Sequence, residues 1–524
     1  MEKLKIAGSG PTAIMPRLLP FLMAAFTMLV TVAAADEPTS APSLPISAPP
    51  ANSELPDMGS PASTVLSQAD EFRLGAMVAH ELRDQNALLE DPETTEYLES
   101  VGMRLAAQSA DGGRGYQFFL VKDSSINAFA VPGRFVFVNE GLILATTRES
   151  ELASVMGHEI AHVTQHHIAR AIRAQSQQSM TTAAAMLAAI LLGALGGGGQ
   201  VMEGGLVVAQ GLAAQQQIND VRANEEEADR VGIGYVAGAG YDPNDMASFF
   251  EEMGHHEGLA STYIPAMLRD HPVTSDRIAE ARARAAQFPP HKIHDSQSYA
   301  LIRERVRVLS ATGDVDLAIV YEQKIAHGSD SVATRYGDAL ALMNGNHAAE
   351  AVKILTPLVQ QHEDLTLLHA ALGQALAKAG RTQEALATFE RAEELFPRNV
   401  PLTVRYAETL MAAGRPAEAH AMLLDLFNNV PPTPDQIRLT ALAASAAGDA
   451  GDAYFYMGEY QIANGDLVLA AQQLQLALAA PHISQIQRQR YRARLDEVQE
   501  YLLSVRKRQV ADNGDSGGQR GGGH

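Results

Sequence analysis

Glycine recurs with a nearly fixed period in the second half of the chain. Gly345, Gly380 and Gly414 are 35 and 34 residues apart, and Gly313 lies 32 before Gly345. The turns read MNGNHAAEAV from Met343, KAGRTQEALA from Lys378, AAGRPAEAHA from Ala412 and ANGDLVLAAQ from Ala463, each with an alanine soon after the glycine. A helical unit copied at this period cannot bury its apolar face alone. Copies must stack, so this part folds as an elongated array with a concave face rather than as one closed core. Pro397 and Pro431 close two of the units. From Gly414 to Gly465 the spacing is 51, one and a half periods, which predicts one extra helix there.

The whole chain of 524 residues is too long for one ordinary core, and its 46% apolar content is enough for most of it to fold. We divide it as follows. Residues 1–35 read as a signal peptide: Lys3, Lys5 and Arg17 precede an uncharged apolar run over 18–32, and Ala33-Ala34-Ala35 fits the small-residue cleavage rule. The apolar run is short for a membrane span. Residues 36–66 are a disordered leader rich in Pro, Ser and Ala. Residues 67–290 mix helix and strand signals, and FPPHKIHDSQS over 288–298 marks a boundary. Residues 299–480 are the repeats, 481–508 a C-terminal helix and 509–524 a disordered tail. The chain has no cysteine, which excludes disulfides, a thiol nucleophile and a lipid-carrying cysteine, and export without cysteines fits a bacterial periplasm. A net charge of −21 argues against nucleic acid as a partner.

Chemistry concentrates in GHEIAHVTQHH, residues 157–167. The preceding ESELASVM opens an amphipathic helix on which His158 and His162 fall one turn apart on the same side, the spacing that lets two imidazoles share one ion. Leu152, Val155, Met156, Ile160 and Val163 form an apolar stripe, and Glu159 lies inside it. A carboxylate there costs several kcal/mol unless paired or functional. Two histidines are not enough, because a catalytic zinc takes three protein ligands and leaves a fourth position open. The run ANEEEADRVG, residues 223–232, offers the third. Glu225 and Asp229 are in phase with Val221, Ala228, Gly232 and Val236 and face inward, whereas Glu226 pairs with Arg230 on the wet side. Glu225 is therefore the expected third ligand, with Glu227 as fallback. Asp229 is the expected acceptor for a ligating imidazole's other N–H. His166 and His167 simply extend the helix. Mixed imidazole and carboxylate donors suit one Zn2+ per chain but admit Mn2+ or Co2+.

Together, His158-Glu159-x-x-His162 and Glu225-x-x-x-Asp229 resemble the zinc metallopeptidase family that includes HtpX and the CAAX prenyl endopeptidases. The period near 34 resembles tetratricopeptide repeats. The implied fold class is α+β, mostly α: a zincin-like metallopeptidase domain followed by an α-solenoid. In that family Glu159 would be the general base. The segment RDHPVTSDRIAEAR, residues 269–282, is similar to a late His-Pro…Arg element, which implies that His271 and Arg277 act near the zinc. Two places are open to His271: polarising the scissile carbonyl, or the fourth zinc position at rest. The stretch INAFAVPGRFVFVNEGLI, residues 126–143, reads as a strand bordering the cleft, whose edge an extended substrate can join. Residues 180–215 hold an apolar, glycine-rich insertion, either an active-site cover or a piece that touches a membrane surface. Within that family, an export signal joined to C-terminal repeats resembles the members that act on outer-membrane β-barrel proteins, and this resemblance implies a role in their periplasmic quality control. Misassembled ones would be the substrates, and the repeats would engage the assembly machinery. The rival reading is a chaperone or adaptor in which binding by the repeats dominates and proteolysis is minor.

Overall fold

The computed structural model describes residues 68–168, 170, 212–259, 267, 271–289, 296–311 and 316–518. The expected signal peptide and leader, residues 180–211 of the apolar insertion and Gly313 lie outside the described residues. The chain is mostly helical. Helices α1 (Gln68–Asp84) and α2 (Pro92–Ala106) precede strands β1 (Gln117–Val121), β2 (Ala128–Val131) and β3 (Phe135–Asn139). Then come α3 (Glu140–Ala145), α4 (Glu149–Thr164), α5 (Leu212–Gly238), α6 (Asn244–Leu259) and α7 (Ser275–Ala285).

The three strands form one sheet in the order β1-β3-β2, with β1 parallel and β2 antiparallel to β3. Residues 126–143, expected as one strand, are instead a hairpin running into α3. Gly133 and Arg134 both adopt positive φ, 89° and 70°, which reverses the chain between Val131 and Phe135. This leaves β2 at the sheet edge, packed against α4.

The reading of α4 as amphipathic is also corrected. Every residue from Glu149 to Ala161 is buried, because α2, α5, α6, β2 and β3 surround the helix. Its polar residues are therefore core residues and must find partners there. Glu149 does so across the 288–298 boundary: it accepts from Tyr97 Oη at 2.8 Å and from Ser296 N and Oγ at 2.8 and 2.9 Å.

From residue 297 the chain is a stack of helices: α8 (Gln297–Leu309), α9 (Leu317–Ala326), α10 (Val332–Asn344), α11 (Ala348–Gln361), α12 (Thr366–Lys378) and α13 (Thr382–Leu395). The stack continues with α14 (Val400–Ala412), α15 (Pro416–Phe427), α16 (Pro434–Ala446), α17 (Ala450–Ala463), α18 (Leu467–Ala479) and α19 (Gln485–Gly518). Gly380 and Gly414 both turn the chain at φ 75°. The interval of 51 residues holds α15, α16 and α17, one helix more than a regular interval, and Gly448 at φ 84° makes a further turn inside it. Within pairs a glycine lets an aromatic ring close in: a Cβ at Gly373 would stand 2.3 Å from Phe389 Cζ. Helix α19 runs to Gly518, past the limit expected at 508.

One apolar core runs without a break from α2 and the sheet into the repeats as far as Ala385. Beside it lies a buried ionic network. Arg305 of α8 donates to Asp91 at 2.6 and 2.8 Å and to Glu93 at 2.8 Å. Arg405 of α14 donates to the same two carboxylates at 2.8 to 3.0 Å. Asp91 caps α2, and although burial opposes it, Arg305 and Arg405 hold its carboxyl well below the usual carboxylate range.

We predict that Arg305→Met lowers unfolding stability by about 3–5 kcal/mol, because it strips two buried carboxylates of one partner. A depressed carboxyl stabilises the fold above its ordinary pKa near 4 and loses that contribution as pH falls. Denaturant titrations should therefore show a gap between variant and parent that is full at pH 7 and shrinks below about pH 4.

Candidate metal centre

Helices α4 and α5 approach closely where glycine faces glycine. A Cβ at Gly232 would lie 3.0 Å from Gly157 C and O and from His158 N, and one at Gly157 would lie 3.2 Å from Gly232 O. These are backbone atoms and cannot step aside. The crossing therefore sets His158, the residue after Gly157, beside Asp229, one turn before Gly232 on α5.

Four side chains converge on one point. One donor atom each from His158, His162, Glu225 and His271 lie within 4.8 Å of one another. His162 Nε2 is 2.9 Å from His158 Nε2 and 3.5 Å from Glu225 Oε1. His271, which follows α6 and precedes α7, brings Nδ1 to 3.0 Å from Glu225 and Nε2 to 3.5 Å from Glu159 Oε1. Glu159 is buried, with the Ala130 backbone of edge strand β2 near enough to favour its ionised form.

Around these residues stands a ring of supports. His158 Nδ1 lies 2.9 Å from Asp229 Oδ1. Arg277 donates to both Asp229 oxygens at 2.7 and 2.8 Å and reaches Glu225 Oε2 at 3.2 Å. It also donates to Pro272 O at 2.8 Å and lies over the Phe250 ring. Arg277 is thus seated on Glu225 and Asp229 rather than in the donor cluster itself.

Three expectations are corrected. His166 and His167 do not extend α4, which stops at Thr164. His166 adopts φ 53°, and the reversal turns the His167 ring back, so that its Nδ1 lies 2.8 Å from His162 Nδ1. Glu227, the fallback ligand, stands outside the cluster, 3.3 Å from His167 Nε2 and 2.7 Å from Arg170. Arg230 pairs with Glu227 at 3.5 Å, three residues away, in place of the expected partner Glu226. The α5 face that carries Glu227 meets the end of α4, and the helical period alone does not reveal that.

The imidazoles of the pocket are driven in opposite directions. Burial opposes protonation of His158, yet the hydrogen bonds and charges of Asp229 and Glu225 outweigh it and raise the imidazole to about 10. Burial would raise Glu225, but His271 and His158 hold it well below the usual carboxylate range. Burial raises Glu159, against the pull of His271 and His158, and burial pushes His162 down, with His158 adding to it. Burial also brings His167 down to about 4. Two imidazoles and a carboxylate on one buried point, the carboxylate ionised and the rings partnered on their outer nitrogens, match the donor set and surroundings of a divalent metal site.

The sequence comparisons agree with this geometry. Residues 92–285 match peptidase family M48, and residues 376–444 match the tetratricopeptide repeat. A putative beta-barrel assembly-enhancing protease from Vibrio cholerae is 32% identical over 462 residues, covering 88% of this chain and 95% of that one. The chain belongs to peptidase family M48. The beta-barrel assembly-enhancing protease of Escherichia coli K12 is another relative, 31% identical over 452 residues and covering 85% of this chain and 91% of its own. The mitochondrial metalloendopeptidase OMA1 of Schizosaccharomyces pombe is 30% identical over 185 residues, 35% of this chain and 51% of that one. This M48 member is accordingly a metalloprotease that carries protein-binding repeats.

Gly232→Ala tests whether the close crossing builds the site. It should cost about 1–3 kcal/mol of overpacking and leave the purified protein with clearly substoichiometric metal by elemental analysis. Full metal content would show that the helices can separate without moving His158.

Proposed function

We propose that this protein is a periplasmic zinc endopeptidase that acts in the quality control and assembly of outer-membrane β-barrel proteins. The proposed protease domain is 67–290, and 299–480 recruits clients or the assembly machinery. The observation that carries the reading is the convergence of His158, His162 and Glu225 beside the buried Glu159. The relatives' names, over most of both chains, supply the biological setting. Among the described residues no helix is long and apolar enough to cross a membrane.

His158, His162 and Glu225 would hold the metal. A bound zinc supplies a Lewis acid for the scissile carbonyl and lowers the pKa of water toward about 7. Glu159 is the base: its carboxylate takes a proton from the attacking water and hands it to the leaving amine nitrogen. Burial favours the protonated form of Glu159 and so suits it to the return step. Asp229 holds the His158 ring through Nδ1, and Arg277 fixes Asp229 and Glu225 together. His271, 3.5 Å from Glu159 and 3.0 Å from Glu225, would polarise the scissile carbonyl or take the fourth metal position at rest. The Ala130 backbone of β2 lies beside the base, so a peptide added along that edge would run past Glu159.

Glu159→Gln should keep fold and zinc but lose casein hydrolysis by at least about a hundredfold, the range of general-base contributions. Undiminished hydrolysis would remove Glu159 from the role. His158→Ala should lose the metal itself, and a full equivalent of zinc in that variant would sink the ligand assignment. Zinc binding should also weaken as pH falls, because protons compete for the imidazoles and Glu225, a trend that titration against a chelating dye would follow.

A further inference from the structure

The two imidazoles expected to carry the metal are not backed alike. His158 turns Nδ1 to Asp229, a carboxylate held by Arg277 deep in the core. Among the described residues no carboxylate stands behind His162. Its Nδ1 meets His167 Nδ1 at 2.8 Å, and from there the contacts pass outward, from His167 Nε2 to Glu227 Oε2 at 3.3 Å and from Glu227 Oε2 to Arg170 at 2.7 Å. Arg170 also donates to Asn224 of α5 at 3.1 Å. His167 is buried, with 4% of its surface exposed.

The hydrogen bonds allow only one consistent assignment once Nε2 of His162 is given to a metal. The ring proton of His162 then sits on Nδ1 and must be donated, so His167 accepts at Nδ1. A neutral His167 that accepts at Nδ1 carries its own proton on Nε2, where Glu227 is the acceptor. Arg170 in turn holds Glu227. Every member of the chain has one role, and each role fixes the next.

We propose that His167, steered by Glu227 and Arg170, is a positioning residue that sets the tautomer and orientation of the His162 ring for metal binding, as Asp229 does for His158. The proposal rests on His162 being a ligand. It makes the α4 terminus functional: the left-handed turn at His166 brings His167 back to its neighbour's ring. It also gives Glu227 a role that Glu225 cannot share, since Glu225 faces the cluster and Glu227 faces its outer rim. Metal ligands backed by a second hydrogen bond typically lose 10–100-fold in affinity when the backing residue is removed.

The test measures the Zn2+ affinity of the full chain by competition with a chelating dye, for the parent and three variants. His167→Phe keeps the ring volume but offers no acceptor, and should lose about 10–100-fold. His167→Asn places Oδ1 near the former Nδ1, and should recover affinity to within about threefold of the parent. Glu227→Ala, at a partly exposed position, leaves the fold intact and should lower affinity by several-fold. The proposal is overturned if the Phe variant binds as tightly as the parent, or if the Asn variant falls as far as the Phe variant. Should His167→Phe not fold, Glu227→Ala decides, and an unchanged affinity there rejects the chain. A parent that binds no zinc would instead reject the reading of His162 as a ligand, a result distinct from either.

Discussion

Charge in the seam between α4 and α5 is the constraint from which much of the structure follows. His158, Glu159, Glu225 and Asp229 are all buried, and ionised groups taken out of water are costly unless each meets a partner. The fold meets that requirement with opposite charge brought from elsewhere. Arg277 comes from α7 and clamps Asp229 and Glu225, and His271 comes from the segment before it. Arg170 comes from beyond the α4 terminus. A divalent cation at the same point would take over part of the work these cationic groups do, so metal binding and the local fold depend on each other.

How much of this was legible in the sequence depended on whether a feature is local. The spacing of His158 and His162 is one helical turn, and helix phase placed Glu225 and Asp229 on the inward face. Both are short-range rules. His167 was misread because its position depends on a chain reversal at His166, a non-glycine residue at φ 53° that no spacing rule marks. Arg230 pairing with Glu227 at i+3 rather than with Glu226 at i+4 shows the limit of the phase argument, since both spacings put neighbours on one helix face. The hairpin at Pro132-Gly133-Arg134 carried a turn signal that the surrounding apolar run masked.

Long-range ion pairs were not readable at all. Arg305 and Arg405 look like ordinary charges on helix surfaces, but they meet Asp91 and Glu93 across separations of 212 residues or more. The repeat period, by contrast, was readable from glycines alone: Gly380 and Gly414 take the positive φ of a tight helix turn, although at Gly345 the neighbouring Asn346 takes it instead. Gly448 lies 34 residues after Gly414, so the period continues inside the irregular interval and the extra helix is α17, between Gly448 and Gly465.

The same long-range contacts join binding and chemistry. Helix α2 begins at the Asp91 and Glu93 network, packs against α8 and α14 on one side and against α4 on another. Any tilt of the repeat stack away from α2 would leave two buried carboxylates unpaired and would also unstack Tyr97 from Tyr299, now 6.0 Å apart. Ionic contacts of this kind add little net stability compared with apolar packing, but they penalise every other orientation heavily. The repeats and the α4–α5 seam are therefore held as one body, and the β2 edge and Glu159 keep a fixed position relative to the array.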